Sequence, residues 1–530
     1  MVVAVSTADH LERALGSIGK AFALVQRAGR LDVVDDLEPG FGSGGEVGAS
    51  ARVPAFRLED LGDASFRLDH GLRYSFMSGA MANGIGSVEI VEAMGRKGLL
   101  GIFGAAGLPL GTVERAIDKI QHGTGDPIPY GINLIHSPGE PQIESGVVDL
   151  LLRRQVRLVE ASAFLNLTLP VVRYRVAGLC RDESGRVVAA NRIIAKVSRV
   201  EVASKFMSPP PAQMVRELVA TGAITAEQAE WATTRIPMAD DITAEADSGG
   251  HTDNQPAIVM LPTMLNLRDT MSERHSYDRP IRVGAAGGIS TPWAAAAALA
   301  MGAAYLVTGS VNQACAEAAT SDTVRGMLAQ AQQSDIAMAP AADMFEMGVK
   351  VQVLKRGTLF AMRAAKLYEL YRAYSGLDEI PASERANIEK TIFRAPLEAI
   401  WEQTKVYFQE RDPSRIDRAN RDPKQKMALV FRWYLGMSSH WANSGEPSRS
   451  IDYQIWCGPA MAAFNDWVRG SWLEPPENRR VADVALNILY GAAVLTRARI
   501  ASIQGVSLPR GVPRLAPLEL CEIENRLFLS

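Results

Sequence analysis

The sequence predicts an α/β chain: a closed (β/α)8 TIM barrel followed by a mostly helical domain. Three observations carry this. From Tyr74 to Gln313, short apolar runs ending in small residues alternate with amphipathic segments, the rhythm of parallel strands joined by helical crossovers. The strand-like runs number about eight, which favours a closed barrel over an open sheet. Beyond Gln313 the strand signals stop and helical periodicity takes over.

Residues 1–70 read as an irregular lead-in, with helical content around Leu11–Ala28 and a Gly-rich flexible loop at Leu37–Ser50. Residues 71–315 are assigned to the barrel. Its strands are read in YSFMSGAM, LLGIFGAAG, YGINLIHSP, VRLVEASA, RIIAKVS, AIVMLPTM, IRVGAAGG and AAYLVTGS. Helices such as SVEIVEAMGRKG and TVERAIDKIQHG carry a glycine stop. The segment 166–188 is expected to hold a β-excursion. Residues 316–530 form the helical domain, and the charged, twice Asp-Pro-marked stretch Glu410–Lys426 reads as a solvated loop.

Composition bounds the partners. The chain has 530 residues, 47% hydrophobic and 22% charged, with a formal charge of −3. That balance argues against nucleic acid, whose phosphates need a basic face. Four dispersed cysteines without a CxxC argue against a zinc site, so no metal is expected. They suit a reducing compartment, and with no basic leader at the N-terminus a cytoplasmic location is expected. Val283–Ala316 lacks charge but is interrupted by GG, TP and TGS, so it reads as buried α/β core and no membrane partner is expected.

Barrel chemistry sits on the loops after the strands. Those ends are rich in glycine, notably SGGH (Ser248–His251), GAAGG (Gly284–Gly288) and TGS (Thr308–Ser310). The last two follow the final two strands, where such barrels often bind phosphate through backbone N–H groups. Ser290 or Thr291 is offered as an N-cap before Pro292. No GxGxxG follows a first strand and no P-loop occurs, which leaves a sugar, nucleotide or flavin phosphate. His251, one of seven histidines, can titrate near neutral pH and donate to a carbonyl.

Here a resemblance narrows the reading. Met77–Leu108, YGINL, AKVS, EADSGGH and VGAAGGISTPWAAAAALAMGAAYLVTGS occur in the order found in nitronate monooxygenase and FMN-dependent enoyl-ACP reductase barrels, which they resemble. Ala80 and Asn83 replace that family's Pro and first Gly, and Asp247-Ser248 departs from its Glu-Ala-Gly-Gly-His signature. Phe345–Arg372 and Asp452–Ala498 resemble the PfaD family, trans-acting enoylreductases of polyunsaturated fatty acid and polyketide synthases.

The resemblance implies FMN and NADPH as cofactors and an enoyl thioester on acyl carrier protein as substrate. It implies His251 as the catalytic side chain; the neighbouring Asp247 and Asp253 are not explained by it, and at most one of them is expected to orient the imidazole. Met81, Ala82 and Asn83 would line the flavin ring, Asn133 would meet its pyrimidine edge, and Lys196 would approach N1–C2=O. Ser248, Gly249 and Gly250 would give close backbone access. Gly287, Gly288, Gly309 and Ser310 would hold the phosphate. An acidic carrier calls for a basic dock, for which Lys350, Lys355, Arg356, Arg479 and Arg480 are candidates. A homodimer is left open. The rivals are a nitronate monooxygenase-type flavin oxidase and a non-catalytic synthase assembly component.

Overall fold

The computed structural model describes residues 4–5, 8–27, 30–35, 49–123, 125–137 and 141–528. Eight parallel strands close a barrel: β1 (Phe76–Ser78), β2 (Leu100–Phe103), β3 (Tyr130–Ile135), β4 (Leu158–Ser162), β5 (Arg192–Val197), β6 (Asp241–Glu245), β7 (Arg282–Ala286) and β8 (Leu306–Thr308). They neighbour one another in chain order, and β8 pairs with β1 through Leu306–Phe76, Val307–Met77 and Thr308–Ser78.

The strand count holds, but the sixth strand is not the expected one. AIVMLPTM opens a helix, Ala257–His275. Met260, Leu261 and Met264 are buried while Ile258 and Val259 are exposed, a helical spacing that the run of apolar residues conceals. The true β6, DITAE, alternates polar and apolar residues. Its polar Asp241 and Thr243 are fully buried. Thr243 bonds the Tyr305 hydroxyl at 2.8 Å, and Gly284 leaves room for the Tyr305 ring, which would lie 2.3 Å from any added Cβ.

The N-terminal end of the barrel is plugged by the helix Ala64–His70, capped by the Asp63 carboxylate, which accepts from the Ser65 N–H. His70 Nε2 lies 2.8 Å from Asp241, and Arg282 reaches Asp241 at 2.6 Å and Asp69 at 2.6 Å. Phe66 stacks on Tyr305 at 4.1 Å. Asp69 and Asp241 thus both pair with Arg282, as burial requires.

The lead-in is ordered where described. A helix, Ala8–Gly16, follows the first strand of a four-stranded sheet, whose strands lie in the order Ala4–Val5, Arg30–Asp35, Phe22–Arg27 and Ala49–Val53. The expected helix therefore stops at Gly16, and Phe22–Arg27 is a strand. Residues 37–48 of the expected glycine loop lie outside the described residues. The excursion within 166–188 is present as the pair Cys180–Arg181 and Val187–Val188.

After the barrel, strands do not stop at once. Ile336–Pro340 and Lys350–Leu354 form an antiparallel hairpin. Helices follow, including Phe360–Ala373, Leu397–Arg411, Pro423–Ser444, Pro459–Val468 and Val481–Ile503. Glu410–Lys426 is largely helical, through Ser414–Arg421 and the start of the next helix. One of its Asp-Pro pairs is a helix start: the Asp422 carboxylate accepts from the Lys424 N–H at 2.9 Å, and Pro423 is the first helical residue. Buried Asp452 gathers Arg363, Arg394, Arg449 and the Tyr434 hydroxyl.

Among the described residues, Val481–Ile503 is the one helix long and apolar enough to cross a membrane, yet 83% of its apolar window is buried inside the molecule. It packs on the barrel helix Pro292–Ala300, where Gly491 lies so close to Pro292 that an added Cβ would stand 2.5 Å from its ring. It also carries the N-terminal sheet: Arg497 donates to Ile18 O and Lys20 O, and Tyr490 to Gly16 O.

Candidate active site

The C-terminal ends of the strands form one mouth, and its floor is charged. Glu160 on β4 is fully buried and reaches across the barrel, where its Oε2 accepts from the Ala80 N–H at 2.8 Å, just beyond β1. Its Oε1 is buried without a hydrogen-bond partner. Burial pushes the Glu160 carboxyl above the usual carboxylate range, with the Lys196 charge and the Ala80 N–H only partly opposing. Lys196 on β5 pairs with Glu245 on β6 at 3.4 Å. Burial works against its charge, but Glu245 and Glu160 prevail and raise its pKa. Glu160 was not among the expected site residues; its signal is a lone acid within VRLVEASA.

His251 stands at the same rim. Gly250–His251 is a two-residue strand antiparallel to Lys350–Leu354, with Gly250 opposite Gln352 and His251 opposite Val351. The ring Nε2 lies 3.1 Å from Asp343 Oδ1, in the loop joining the two hairpin strands. Neither expected aspartate holds it. Asp247 Oδ1 accepts from Gln352 at 2.6 Å and Asn254 at 2.8 Å, and Asp253 accepts from Ser198 at 2.6 Å and pairs with Arg199 at 2.9 Å. Burial opposes protonation of His251, but the Asp343 hydrogen bond and charge, helped by Glu245, hold its pKa above the ordinary histidine value. Partial desolvation opposes the Asp343 charge, although its side chain is 48% exposed, and His251 with Arg432 keeps its pKa lowered. No local sequence signal marks Asp343, because the hairpin alone brings it to the barrel.

The glycines divide into two kinds. Gly287 has φ +81° and backs onto β6: an added Cβ would meet the Ala246 carbonyl at 2.6 Å. Gly288, at φ +77°, and Gly309 have nothing within 4 Å of that position. The ends of β7 and β8 thus present an open backbone edge. The Ser310 hydroxyl accepts from the Gly458 N–H at 3.3 Å. Gly249 is packed under Cys457 and Gly458, with 3.0 Å left for a Cβ, so its missing side chain first serves the helical domain. Gly250 has φ +86° and open space. The Ser248 hydroxyl donates to Glu245 at 3.4 Å. Thr291, as expected, caps the helix after β7 by accepting from the Ala294 N–H.

On the β1 loop, Met81 O accepts from the Gly86 N–H at 3.0 Å and Ala82 O from the Ile85 N–H at 3.1 Å. Both residues are half-buried. Asn83, left-handed at φ 57°, is turned to the helical domain, where its Nδ2 donates to Ser439 Oγ at 3.0 Å. Asn133 on β3 is buried, its Nδ2 donating to Glu160 O at 3.1 Å and Ser162 Oγ at 2.8 Å. Of the expected docking residues, Lys350, Lys355, Arg356 and Arg480 are exposed, but Arg479 is fully buried and donates to Leu473 O, Glu474 O and Asn465 Oδ1. Cys457 is buried, and burial pushes its thiol up to about 12, so it is no nucleophile.

These residues fit a flavin phosphate and ring. A Cβ at Gly288 or Gly309 would fill otherwise open space at the end of β7 or β8, and a cation, Lys196, lies at the same mouth.

Comparison with known proteins adds context. Residues 70–395 match the nitronate monooxygenase family, and residues 374–453 match the inserted helical domain of [acyl-carrier-protein] S-malonyltransferase. A polyunsaturated fatty acid synthase subunit from Thraustochytrium sp. is 51% identical over 457 residues, 85% of this chain and 30% of that protein. The polyketide biosynthesis protein PksE of Bacillus subtilis is 48% identical over 445 residues, 84% of this chain and 58% of its own. The chain therefore spans less than two thirds of both relatives. The enoyl reductase domain of MlnA, from the macrolactin biosynthesis cluster of Bacillus amyloliquefaciens, is 43% identical with a TM-score of 0.81, covering 84% of this chain and 100% of that domain.

Proposed function

The chain belongs to the nitronate monooxygenase family, and on that premise we propose that it is an FMN- and NADPH-dependent enoyl reductase. Its substrate would be an α,β-unsaturated thioester carried on acyl carrier protein, within a polyunsaturated fatty acid or polyketide synthase. The observation that carries the reading is the convergence, on one barrel mouth, of His251, Lys196 and the open edge at Gly288 and Gly309. The match over the whole of an enoyl reductase domain supports it.

Bound FMN would supply two-electron chemistry, taking a hydride from NADPH and returning it to the β-carbon of the enoyl group. The chain's residues do the rest. Gly288, Gly309 and Ser310 would hold the phosphate, and Lys196 would place positive charge where the reduced ring carries negative charge. Met81 and Ala82 would face the ring and Asn133 its pyrimidine edge, while Glu160, through Ala80, would fix the loop that bears Met81. His251 would donate to the thioester oxygen and supply the α-carbon proton.

The test is anaerobic. NADPH should bleach the flavin-loaded protein, and an enoyl-carrier substrate should then restore the oxidised spectrum. A flavin that stays oxidised with NADPH counts against the reading. The family match also supports a flavin oxidase; NADPH-independent oxygen uptake with an alkyl nitronate would favour that alternative.

A further inference from the structure

The hairpin at 336–354 lies outside the barrel, yet it grips the β6 loop at three points. Its strand Lys350–Leu354 pairs with the backbone of Gly250 and His251. Its Gln352 side chain donates to Asp247 at 2.6 Å. Its loop delivers Asp343 to the His251 ring at 3.1 Å. The loop is held from behind, because Glu346 pairs with Arg432 of the helix Pro423–Ser444 at 3.2 Å. Ser439, seven residues along that helix, receives the Asn83 amide of the β1 loop. One helix thus braces both sides of the mouth.

An ionised carboxylate only accepts hydrogen bonds, so the imidazole nitrogen facing Asp343 must carry a proton. That nitrogen is Nε2, and the other, Nδ1, is left for chemistry. We propose that Asp343 is a positioning residue: it fixes the Nε2–H form of His251, favours the imidazolium, and makes Nδ1 the nitrogen that serves the substrate. This rests on the enoyl reductase reading above.

The proton balance follows. The β-carbon gains the hydride that originates in NADPH while the C=C π bond breaks and negative charge moves to the thioester enolate. The Nδ1–H bond of the imidazolium breaks and an α-carbon–H bond forms. His251 is left neutral with Nε2–H still on Asp343, and solvent reloads Nδ1. The charged groups facing the ring are Asp343 from the hairpin, Glu245 from β6 and Lys196 from β5, with Arg432 behind Asp343. Two acids against one adjacent cation favour the imidazolium.

The proposal is tested on the full chain, labelled with 15N-histidine, with His251→Gln used to assign the signal. Long-range 1H–15N spectra should show His251 protonated on Nε2 throughout, with Nδ1 titrating. In Asp343→Asn that titration should move to lower pH. In the two half-reactions, Asp343→Asn should leave flavin bleaching by NADPH unchanged. It should slow reoxidation by the enoyl thioester at pH 8 on the order of tenfold, with Asp343→Glu recovering part of the rate. A neutral His251 carrying its proton on Nδ1, an unmoved titration in Asp343→Asn, or equal loss in both half-reactions would overturn the proposal. If Asp343→Asn does not fold, the wild-type spectra decide alone. If the enoyl thioester is not reduced at all, the enzymatic reading fails while the spectra still decide the pair.

Discussion

Gly287 and Gly288 are neighbours with the same backbone strain and different surroundings, and alanine should separate their roles. Both have a φ near +80°, so a Cβ at either costs about 1–2 kcal/mol in the left-handed region. At Gly287 the new methyl would also lie 2.6 Å from the Ala246 carbonyl and 2.9 Å from the Asp247 carbonyl oxygen. That is backbone that cannot swing aside, and overpacking adds about 1–3 kcal/mol. At Gly288 nothing lies within 4 Å, so the strain stands alone. Urea denaturation of the flavin-free proteins should therefore rank wild type above Gly288→Ala, and Gly288→Ala above Gly287→Ala. Flavin binding should tell a second story. A methyl at Gly288 occupies the space assigned to phosphate. Losing one charge-assisted hydrogen bond there, about 1.5–3 kcal/mol, weakens FMN by roughly 10- to 100-fold. Fluorescence-quenching titration reads this directly. Wild-type FMN affinity in Gly288→Ala would refute the phosphate assignment, and a reversed stability order would refute the steric argument.

Other outcomes follow from the same geometry. Glu160→Leu leaves the Ala80 N–H unpaired at a cost of about 1–3 kcal/mol, whereas Glu160→Gln keeps an acceptor there; equal loss of flavin affinity in the two variants would contradict the loop-fixing role. Charge reversal at Lys350, Lys355 and Arg356 should raise KM for a carrier-bound substrate and spare a small thioester mimic; equal effects on both would remove these residues from docking. Asp452→Asn, which strips the charge that gathers three arginines, should cost about 3–5 kcal/mol, and a melting temperature within error of wild type would contradict that. Asp240 is held below the usual carboxylate range because the Arg175 charge and hydrogen bond outweigh burial. Its folded pKa lies below its unfolded value, so its stability is present at neutral pH and should fade as pH falls through the depressed value. The raised His251 has the opposite sign, and its contribution fades as pH rises. Thermal melts from pH 3 to 9 that stay flat would exclude both.

The barrel was legible because seven strands obey local rules: short apolar runs, small residues at the ends and amphipathic helices between. The sixth failed for a physical reason. Asp241 and Thr243 face partners inside the barrel, so β6 wears its polarity inward and looks like a loop. The apolar start of Ala257–His275 supplied a false substitute. In the site, the mouth glycines, Lys196 and His251 could be named from motifs. Asp343, Ser439 and Gly458 could not, since each meets the barrel across 92 or more residues of chain. Arg479 failed the other way: a basic residue in a polar stretch reads as surface, yet three acceptors hold it inside.

The helix Val481–Ile503 has a consequence for how the chain is made. Arg497 holds the carbonyl of Ile18, 479 residues earlier. At about 5–20 residues per second, a ribosome leaves that carbonyl waiting on the order of 25–95 s for its partner. Until then the first sheet lacks this helix, and from its own synthesis onward the barrel helix Pro292–Ala300 lacks its cover. A nascent chain of this protein therefore carries two unfinished apolar surfaces at once, and the late helix closes both.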